Sequence, residues 1–366
     1  MKKATPYRFI IAGGGTGGHL YPALAVAQQI RAIKPEAEIL FVGAKNKMEE
    51  RVVPEYGFKF TPIWVSGFSR KINVNNLIFP LKLIVSLIQS LKINFSFKPR
   101  VAIGSGAYVS GPVIWSAHVI GARVMLLEQN SYPGITNRLL EKRAEEIHIT
   151  FDESKKYFRN ESKLKFTGNP IRINLKLDGK QESKKKFELD PEKKVLLVLG
   201  GSGGAGSINK IVADNINNLL QKKIQVIWQT GQFYFDQYKK FTSKDVKVFP
   251  FINDMPSAYS ACDVVIARSG ATTIAEISYL AIPVVFVPSQ NVAANHQYMN
   301  AKALKAAGAA ELIEDKNLKD EFLPVINEII FNEVRQESLK KNIEAFARPL
   351  AAKVIAESAI SLAERI

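Results

Sequence analysis

Apolar residues in this chain fall into two alternating arrangements. Short unbroken runs such as Phe9-Ile10-Ile11-Ala12 and Ile39-Leu40-Phe41-Val42 have the length and branching of strands buried on both faces. Between them Leu20, Leu24, Ala27 and Ile30 recur at helical spacing. The alternation runs on through Val101-Ala102-Ile103, Val124-Met125-Leu126-Leu127 and Ile147-His148-Ile149. It restarts at Val195-Leu196-Leu197-Val198-Leu199 and continues through Val226-Ile227-Trp228, Val264-Val265-Ile266-Ala267 and Val284-Val285-Phe286-Val287. Strand–helix alternation predicts an α/β fold with parallel sheets, and the restart predicts two doubly wound halves. Residues 175–194, rich in Lys and Glu, read as the connection between them. The run from about 345 to 366 has helical periodicity and is placed to return to the first half.

Both halves open with a glycine turn between a strand and a helix. The first is Gly13-Gly14-Gly15-Thr16-Gly17-Gly18-His19, with Pro22 expected in the opening turn of the helix. The second is Gly200-Gly201-Ser202-Gly203-Gly204-Ala205-Gly206. Free N–H groups and the positive end of a helix dipole make each an anion site. Gly13, Gly15 and Gly18, and again Gly201, Gly203 and Gly206, satisfy the dinucleotide spacing G-x-G-x-x-G. A dinucleotide site also places Asp or Glu at the tip of the following strand to hold the ribose. Here those tips read Gly43-Ala44-Lys45 and Gln229-Thr230-Gly231, which argues against a nicotinamide cofactor twice over.

The chain has 366 residues, a hydrophobic fraction of 46% and a charged fraction of 23%, values of a soluble two-domain protein. Its single cysteine, Cys262, lies in an apolar run and reads as a core residue of a protein in a reducing compartment. The N-terminal Met1-Lys2-Lys3 lacks an apolar export signal, so a cytoplasmic location is expected. A net charge of +16 calls for an anionic partner. No nucleic-acid-binding motif is present, which leaves anionic substrates or a membrane surface. Residues 71–95 are the most lipophilic stretch but are broken by Pro80, Lys82, Gln89 and Lys92, so a charge-free span of about 20 residues is missing. Two readings stay open: a buried helix, or an apolar patch ringed by Lys71, Lys82 and Lys92 that dips into an anionic leaflet.

Taken in order, several segments resemble the MurG family of bacterial glycosyltransferases. The resemblance rests on G-G-G-T-G-G-H at 13–19, G-x-G-x-Y-V-S-G-P at 104–112, E-Q-N at 128–130 and G-N-P-I-R at 168–172. It continues with G-G-S-G-G-A at 200–205, R-S-G-A-T-T-I-A-E at 268–276 and H-Q-Y at 296–298. Ala107 stands where the family usually has a second glycine. The resemblance implies a GT-B fold, two Rossmann-like doubly wound parallel-sheet domains facing across a cleft. An acceptor- and membrane-binding domain would occupy 1–172, a UDP-sugar domain 173–344, and a helix over 345–366 would return to the first. The implied enzyme is an inverting hexosyltransferase moving N-acetylglucosamine from UDP-GlcNAc to the C4 hydroxyl of the MurNAc sugar of lipid I. The product is lipid II, for peptidoglycan synthesis. Neither a cofactor nor an obligatory metal is implied. The implied setting is the cytoplasmic face of the membrane, with other cell-wall synthesis proteins as partners.

Carried over position by position, the resemblance gives Ser202 a diphosphate contact and Ala271, Thr272 and Thr273 the backbone of the same anion site. Glu276 would accept from the ribose hydroxyls, Ile252 would contact uracil through its backbone, and Arg172 would touch the nucleotide. Asn130 and Gln297 would hold sugar hydroxyls. On the acceptor side, Thr16, Gly17 and Gly18 would cradle the lipid-linked diphosphate, with Tyr108 positioning the acceptor. His19 is the candidate general base, with Glu128 a rival base or an orienting partner. Plain structural readings stand beside these: Thr16 and Ser202 as helix caps, and Glu276 as an exposed first-turn carboxylate. A UDP-GlcNAc 2-epimerase of the same fold is the alternative enzyme, and a nucleotide-sugar-binding subunit the non-enzymatic one.

Overall fold

A computed structural model describes residues 7–67, 74–172, 175–201, 203–290 and 295–365, with the side chains of 74–77 excepted. The chain divides into two compact units, one of residues 1–173 with 348–366 and one of residues 174–347.

In the first unit the elements run β1 (Arg8–Ala12), α1 (Gly17–Ile33), β2 (Glu38–Ala44), α2 (Met48–Glu55), β3 (Lys59–Ile63) and α3 (Val74–Phe97). They continue with β4 (Val101–Gly104), α4 (Ala107–Val119), β5 (Arg123–Glu128), α5 (Ile135–Leu140), β6 (Glu146–Ile149) and β7 (Leu164–Phe166). All seven strands are parallel, in the order β3-β2-β1-β4-β5-β6-β7. Phe9 and Ile11 enter one core with helices α1 and α2, while Ile10 and Ala12 enter the other with α4, so the central strand is buried on both faces. Pro22 sits at the sixth residue of α1, beyond the opening turn expected for it, where its ring has no N–H to return to the Gly18 carbonyl. Pro112 occupies the same place in α4.

The second unit repeats the plan: α6 (Lys180–Lys186), β8 (Lys194–Leu199), α7 (Gly206–Gln221), β9 (Ile224–Gln229), α8 (Phe235–Tyr238), β10 (Val246–Phe249) and α9 (Met255–Ala261). Then come β11 (Val264–Ala267), α10 (Ala271–Leu280), β12 (Val284–Phe286), α11 (His296–Ala306), β13 (Glu311–Leu312), α12 (Leu318–Ile330) and α13 (Glu333–Glu344). Its six parallel strands are ordered β10-β9-β8-β11-β12-β13. Buried Trp228 donates its indole N–H to Asn209 Oδ1 at 2.9 Å, and Asn209 Nδ2 donates to the Thr230 carbonyl at 2.9 Å. That chain of bonds ties the start of α7 to the end of β9 with no buried donor left over. Residues 175–194 are not a bare connection. Leu175 and Leu189 are buried, and α6 buries Lys184 with its ammonium donating to the Pro191 and Lys193 carbonyls at 2.7 and 2.6 Å. A lysine-rich helix can pack because the aliphatic stems cover apolar surface while the charges find carbonyls.

The last helix, α14 (Ala351–Glu364), lays Ile355, Ala356, Ala359, Ile360 and Ala363 into the core that α1 and α2 share. The polypeptide therefore leaves the first unit and comes back to it.

Candidate functional site

In each sheet the strand order reverses between the first strand and its later neighbour, at β1/β4 and at β8/β11. Loops at the carboxyl ends of such strands diverge and leave a crevice, the usual ligand position in open parallel sheets. Both glycine loops lie there.

In the first unit the loop from Gly13 to Gly18 is held from two sides. Glu49, at the start of α2 and 0% exposed, accepts the N–H of Gly15 and the N–H of Ala44, each at 3.0 Å. A Cβ on Gly14 would come within 2.4 Å of that carboxylate, and one on Gly43 within 2.5 Å of the Glu49 Cγ and 2.6 Å of the Phe60 ring, so glycine is required at both. On the other side the Tyr108 ring lies against Gly15, whose φ of +74° also favours glycine. Burial raises the Tyr108 phenol above its ordinary value, and the Glu49 charge adds to that, so the ring is a neutral hydroxyl at physiological pH. Thr16 precedes α1 in extended conformation, and its exposed side chain makes no capping bond. Gly17 and Gly18 are the first residues of the helix, where backbone N–H groups have no partner within it.

His19 follows in the first turn. Its Nδ1 stands 2.9 Å from the Ser105 carbonyl and 3.1 Å from Gln129 Oε1. Glu128, at the end of β5, is buried. Its Oε1 accepts from the Asn130 N–H and side-chain amide at 3.0 and 3.4 Å, and its Oε2 from the Gly134 N–H and Asn137 Nδ2 at 3.0 and 2.9 Å. Burial raises the Glu128 carboxyl above its ordinary value, against the hydrogen bonds from Asn130, Asn137 and Gly134 and the charge of His19. Asn130 is thus anchored to Glu128 by both its backbone and its side chain. Arg172 is half-buried with its guanidinium 5.0 Å from the centre of the Tyr21 ring.

In the second unit the loop 200–206 is packed as tightly. A Cβ on Gly204 would meet the Thr230 carbonyl at 2.2 Å, and Gly204 has φ +80°. Ser202 lies outside the described residues. Across the switch point Gly270 caps α10, so Ala271, Thr272 and Thr273 present the helix's first backbone N–H groups. Glu276 stands in the second turn and is 3% exposed, accepting from the Tyr259 hydroxyl at 3.0 Å. It is therefore not the exposed first-turn carboxylate of the plain reading. The Ile252 N–H is taken by Gln229 Oε1 at 2.9 Å, while Gln229 Nε2 donates to the Gly201 carbonyl at 3.2 Å. Gln297 Oε1 accepts from the Ser289 N–H, and its carbonyl accepts from Ser269 Oγ. Arg268 joins these parts: it donates to the Val287 and Pro288 carbonyls, to Asp315 Oδ1 at 2.9 Å and to Ser207 Oγ at 2.8 Å.

The fold thus brings Thr16, Gly17, Gly18, His19, Tyr108, Glu128 and Asn130 to one switch point. It brings Ala271, Thr272, Thr273 and Glu276 to the other. Sequence reasoning missed Glu49, Ser105 and Gln129. Ser105 and Gln129 lie within quoted motifs and Glu49 in none, and their partners are 86, 110 and 34 residues away, at separations that no local pattern reveals. Among the described residues, no three His, Cys, Asp or Glu are grouped to hold a metal ion. Cys262 is buried, and burial pushes its thiol far up, leaving it inert.

Residues 9–149 match the family model described as the glycosyltransferase family 28 N-terminal domain, and residues 195–355 the glycosyltransferase family 28 C-terminal domain. A relative from Flavobacterium psychrophilum is 44% identical over 361 residues, covering 98% of each chain. It is named UDP-N-acetylglucosamine–N-acetylmuramyl-(pentapeptide) pyrophosphoryl-undecaprenol N-acetylglucosamine transferase. One from Cytophaga hutchinsonii carries the same name at 42% identity, covering 97% of this chain and 96% of the relative. Among solved structures, MurG of Acinetobacter baumannii superposes with a TM-score of 0.73 at 25% identity, covering 97% of this chain and all of that one. A UDP-GlcNAc 2-epimerase from Neisseria meningitidis, bound to UDP-GlcNAc, superposes with a TM-score of 0.68 at 14% identity, a likeness of fold alone. With both domain models matched in order and near-full-length relatives above 40% identity, the chain belongs to glycosyltransferase family 28, with the GT-B fold of two Rossmann-like domains.

Proposed function

We infer that this protein transfers N-acetylglucosamine from UDP-GlcNAc to the C4 hydroxyl of the MurNAc sugar of lipid I, with inversion, giving lipid II. The observation that carries this is 44% identity over 98% of both chains with a transferase of that name. The epimerase alternative has only a fold likeness behind it.

The chemistry divides between the two switch points. UDP is a diphosphate leaving group, and the starts of α7 and α10 offer it backbone N–H groups and dipoles without needing a metal. Glu276 suits the ribose hydroxyls, and Gln297 and Asn130 the sugar. Because the Ile252 N–H is engaged by Gln229, its carbonyl is the group left for the N3–H of uracil. The loop Thr16-Gly17-Gly18 at the head of α1 suits the acceptor's diphosphate. His19 takes the proton of the attacking hydroxyl as that oxygen bonds to the anomeric carbon and the bond to UDP breaks. Glu128 orients rather than attacks. With four donors on its two oxygens it holds the 130–137 segment, and its charge favours the imidazolium that forms.

The same reading makes α3 the membrane contact. Its buried side carries Ser86, Ser90 and Asn94, all 0% exposed, while Ile78, Leu81, Leu83, Ile84, Ile88 and Phe95 are exposed. An apolar face turned outward suits an apolar medium. Ile78–Phe97 is long and apolar enough to cross a bilayer, but Asn94 is bonded to Ser116 and the Val113 carbonyl of α4, which favours a helix lying on the surface. Lys82, beside Trp64, suits anionic headgroups; Lys71 lies outside the described residues. Incubating the purified protein with labelled UDP-GlcNAc and a lipid I analogue in detergent should yield disaccharide-lipid and UDP. No product with a competent acceptor would sink the assignment.

A further inference from the structure

The hydrogen bonds around His19 can be read for direction. Ser105 Oγ stands 2.6 Å from the His19 carbonyl oxygen. A carbonyl has no proton to give, so the hydroxyl donates there and is left with lone pairs only. Gln129, 3.1 Å away, must then turn its NH₂ toward Ser105 Oγ. That orientation points Gln129 Oε1 at the imidazole, 3.1 Å from Nδ1. Independently, the Ser105 main-chain carbonyl lies 2.9 Å from the same nitrogen. Nδ1 faces two acceptors, and both lines of reasoning place a hydrogen on it. Ser105 is 0% and Gln129 2% exposed, so water does not compete for these groups. Gly106 closes the arrangement: a Cβ there would stand 2.8 Å from Nδ1, and its φ is +96°.

We propose that Gln129, acting with Ser105, is a positioning residue that fixes His19 in its Nδ1–H tautomer, so that Nε2 is the atom that receives the acceptor's proton. The proposal rests on reading His19 as the base. The hydroxyl proton passes to Nε2 and the oxygen's electron pair forms the new bond to the anomeric carbon. The electrons of the broken bond leave with UDP, and the imidazolium returns its proton to solvent. Of the titratable groups nearby, Glu128 at the end of β5 acts on the ring, while Glu49 of α2 and the Tyr108 hydroxyl of α4 flank the loop before it.

The test uses the full chain with ¹⁵N-labelled histidine, assigned through His19→Gln. The wild-type neutral ring should report hydrogen on Nδ1 and a bare Nε2. Gln129→Glu puts a carboxylate beside Nδ1–H and should raise the His19 titration midpoint by about one unit. The acidic limb of the kcat/KM profile should move up with it. Gln129→Met should lower kcat about tenfold at unchanged KM for UDP-GlcNAc, the pattern of a misaligned base rather than a damaged fold. A wild-type ring protonated on Nε2, or a Gln129→Glu midpoint that does not move, overturns the proposal. A midpoint that moves while the rate profile stays still leaves the tautomer assignment standing and removes His19 as the base. Should Gln129→Glu not fold, the wild-type tautomer decides alone.

Discussion

Glu49 and Glu128 are both buried beside the first switch point, and in both the oxygens are filled by donors from the protein itself. A buried carboxylate whose lone pairs are taken is a strut, because removing an acceptor strands a donor at a cost of about 1–3 kcal/mol. Glu49→Gln swaps one acceptor oxygen for an NH₂ facing the N–H of Gly15 or Ala44. We expect the acceptor KM to rise severalfold with the UDP-GlcNAc KM unchanged, measured by initial rates with each substrate varied in turn. An equal rise in both would refute a local role. His19→Ala should lower kcat by about 10²–10⁴ while UDP binding, followed by calorimetry, stays intact. The motif E-Q-N exposed Glu128 as an acid but not its donors, so base and strut could not be told apart in sequence. Glu49 is a first-turn glutamate of α2, a place the helix dipole favours for any carboxylate, and its partner Gly15 is 34 residues away, so nothing local marks it.

At the scale of elements, strand runs and glycine turns were legible because their signals are local. A parallel strand buried on both faces is mostly apolar, and a left-handed or crowded turn favours glycine. Helix α3 was legible as apolar but not in its orientation. Polar spacing at Ser86, Ser90 and Asn94 would ordinarily mark the solvent face, yet all three are buried and Asn94 bonds to Ser116 and the Val113 carbonyl of α4. Replacing Leu81, Ile84 and Ile88 together by Ser should weaken binding to anionic vesicles at least tenfold and leave the melting temperature within a few degrees. A large fall in melting temperature would return α3 to the buried-helix reading. The departure at Ala107 has a structural cost that the sequence only hinted at. Its φ of +63° puts a Cβ in left-handed backbone, where L-residues other than glycine lose about 1–2 kcal/mol. Ala107→Gly should accordingly stabilise the first unit, less the glycine's own entropy, by up to about 1 kcal/mol in urea unfolding. No gain would mean that the surrounding turn already absorbs the strain.

Over the whole molecule, the chain's return to its first unit depends on a charged seam. Glu146, at the start of β6 with its side chain 9% exposed, faces Lys165 Nζ at 2.7 Å, His148 Nε2 at 3.3 Å and the Ser358 hydroxyl of α14. Burial pushes the Glu146 carboxyl up, but its bonds to His148, Lys165 and Ser358 outweigh that and hold it at about 2, against an ordinary value of 4.5. The unfolded chain therefore takes up a proton that the folded chain refuses. The stability contributed is fully present above pH 4.5 and is lost as pH falls toward 2, up to about 3 kcal/mol in all. His148 acts in the same direction from a higher pH. Burial lowers its pKa below the ordinary 6.5, so the folded chain keeps it neutral after the unfolded chain has charged it. A chain of two compact units need not unfold in one transition, so the readout is local. Hydrogen exchange in α14 should accelerate as pH falls from 6 to 3 relative to exchange in α7, after correction for the intrinsic pH dependence. Glu146→Gln should remove most of the lower part of that change by abolishing the titrating charge. If α14 and α7 loosen together in the wild type, acid sensitivity belongs to the whole chain and this seam is not its source.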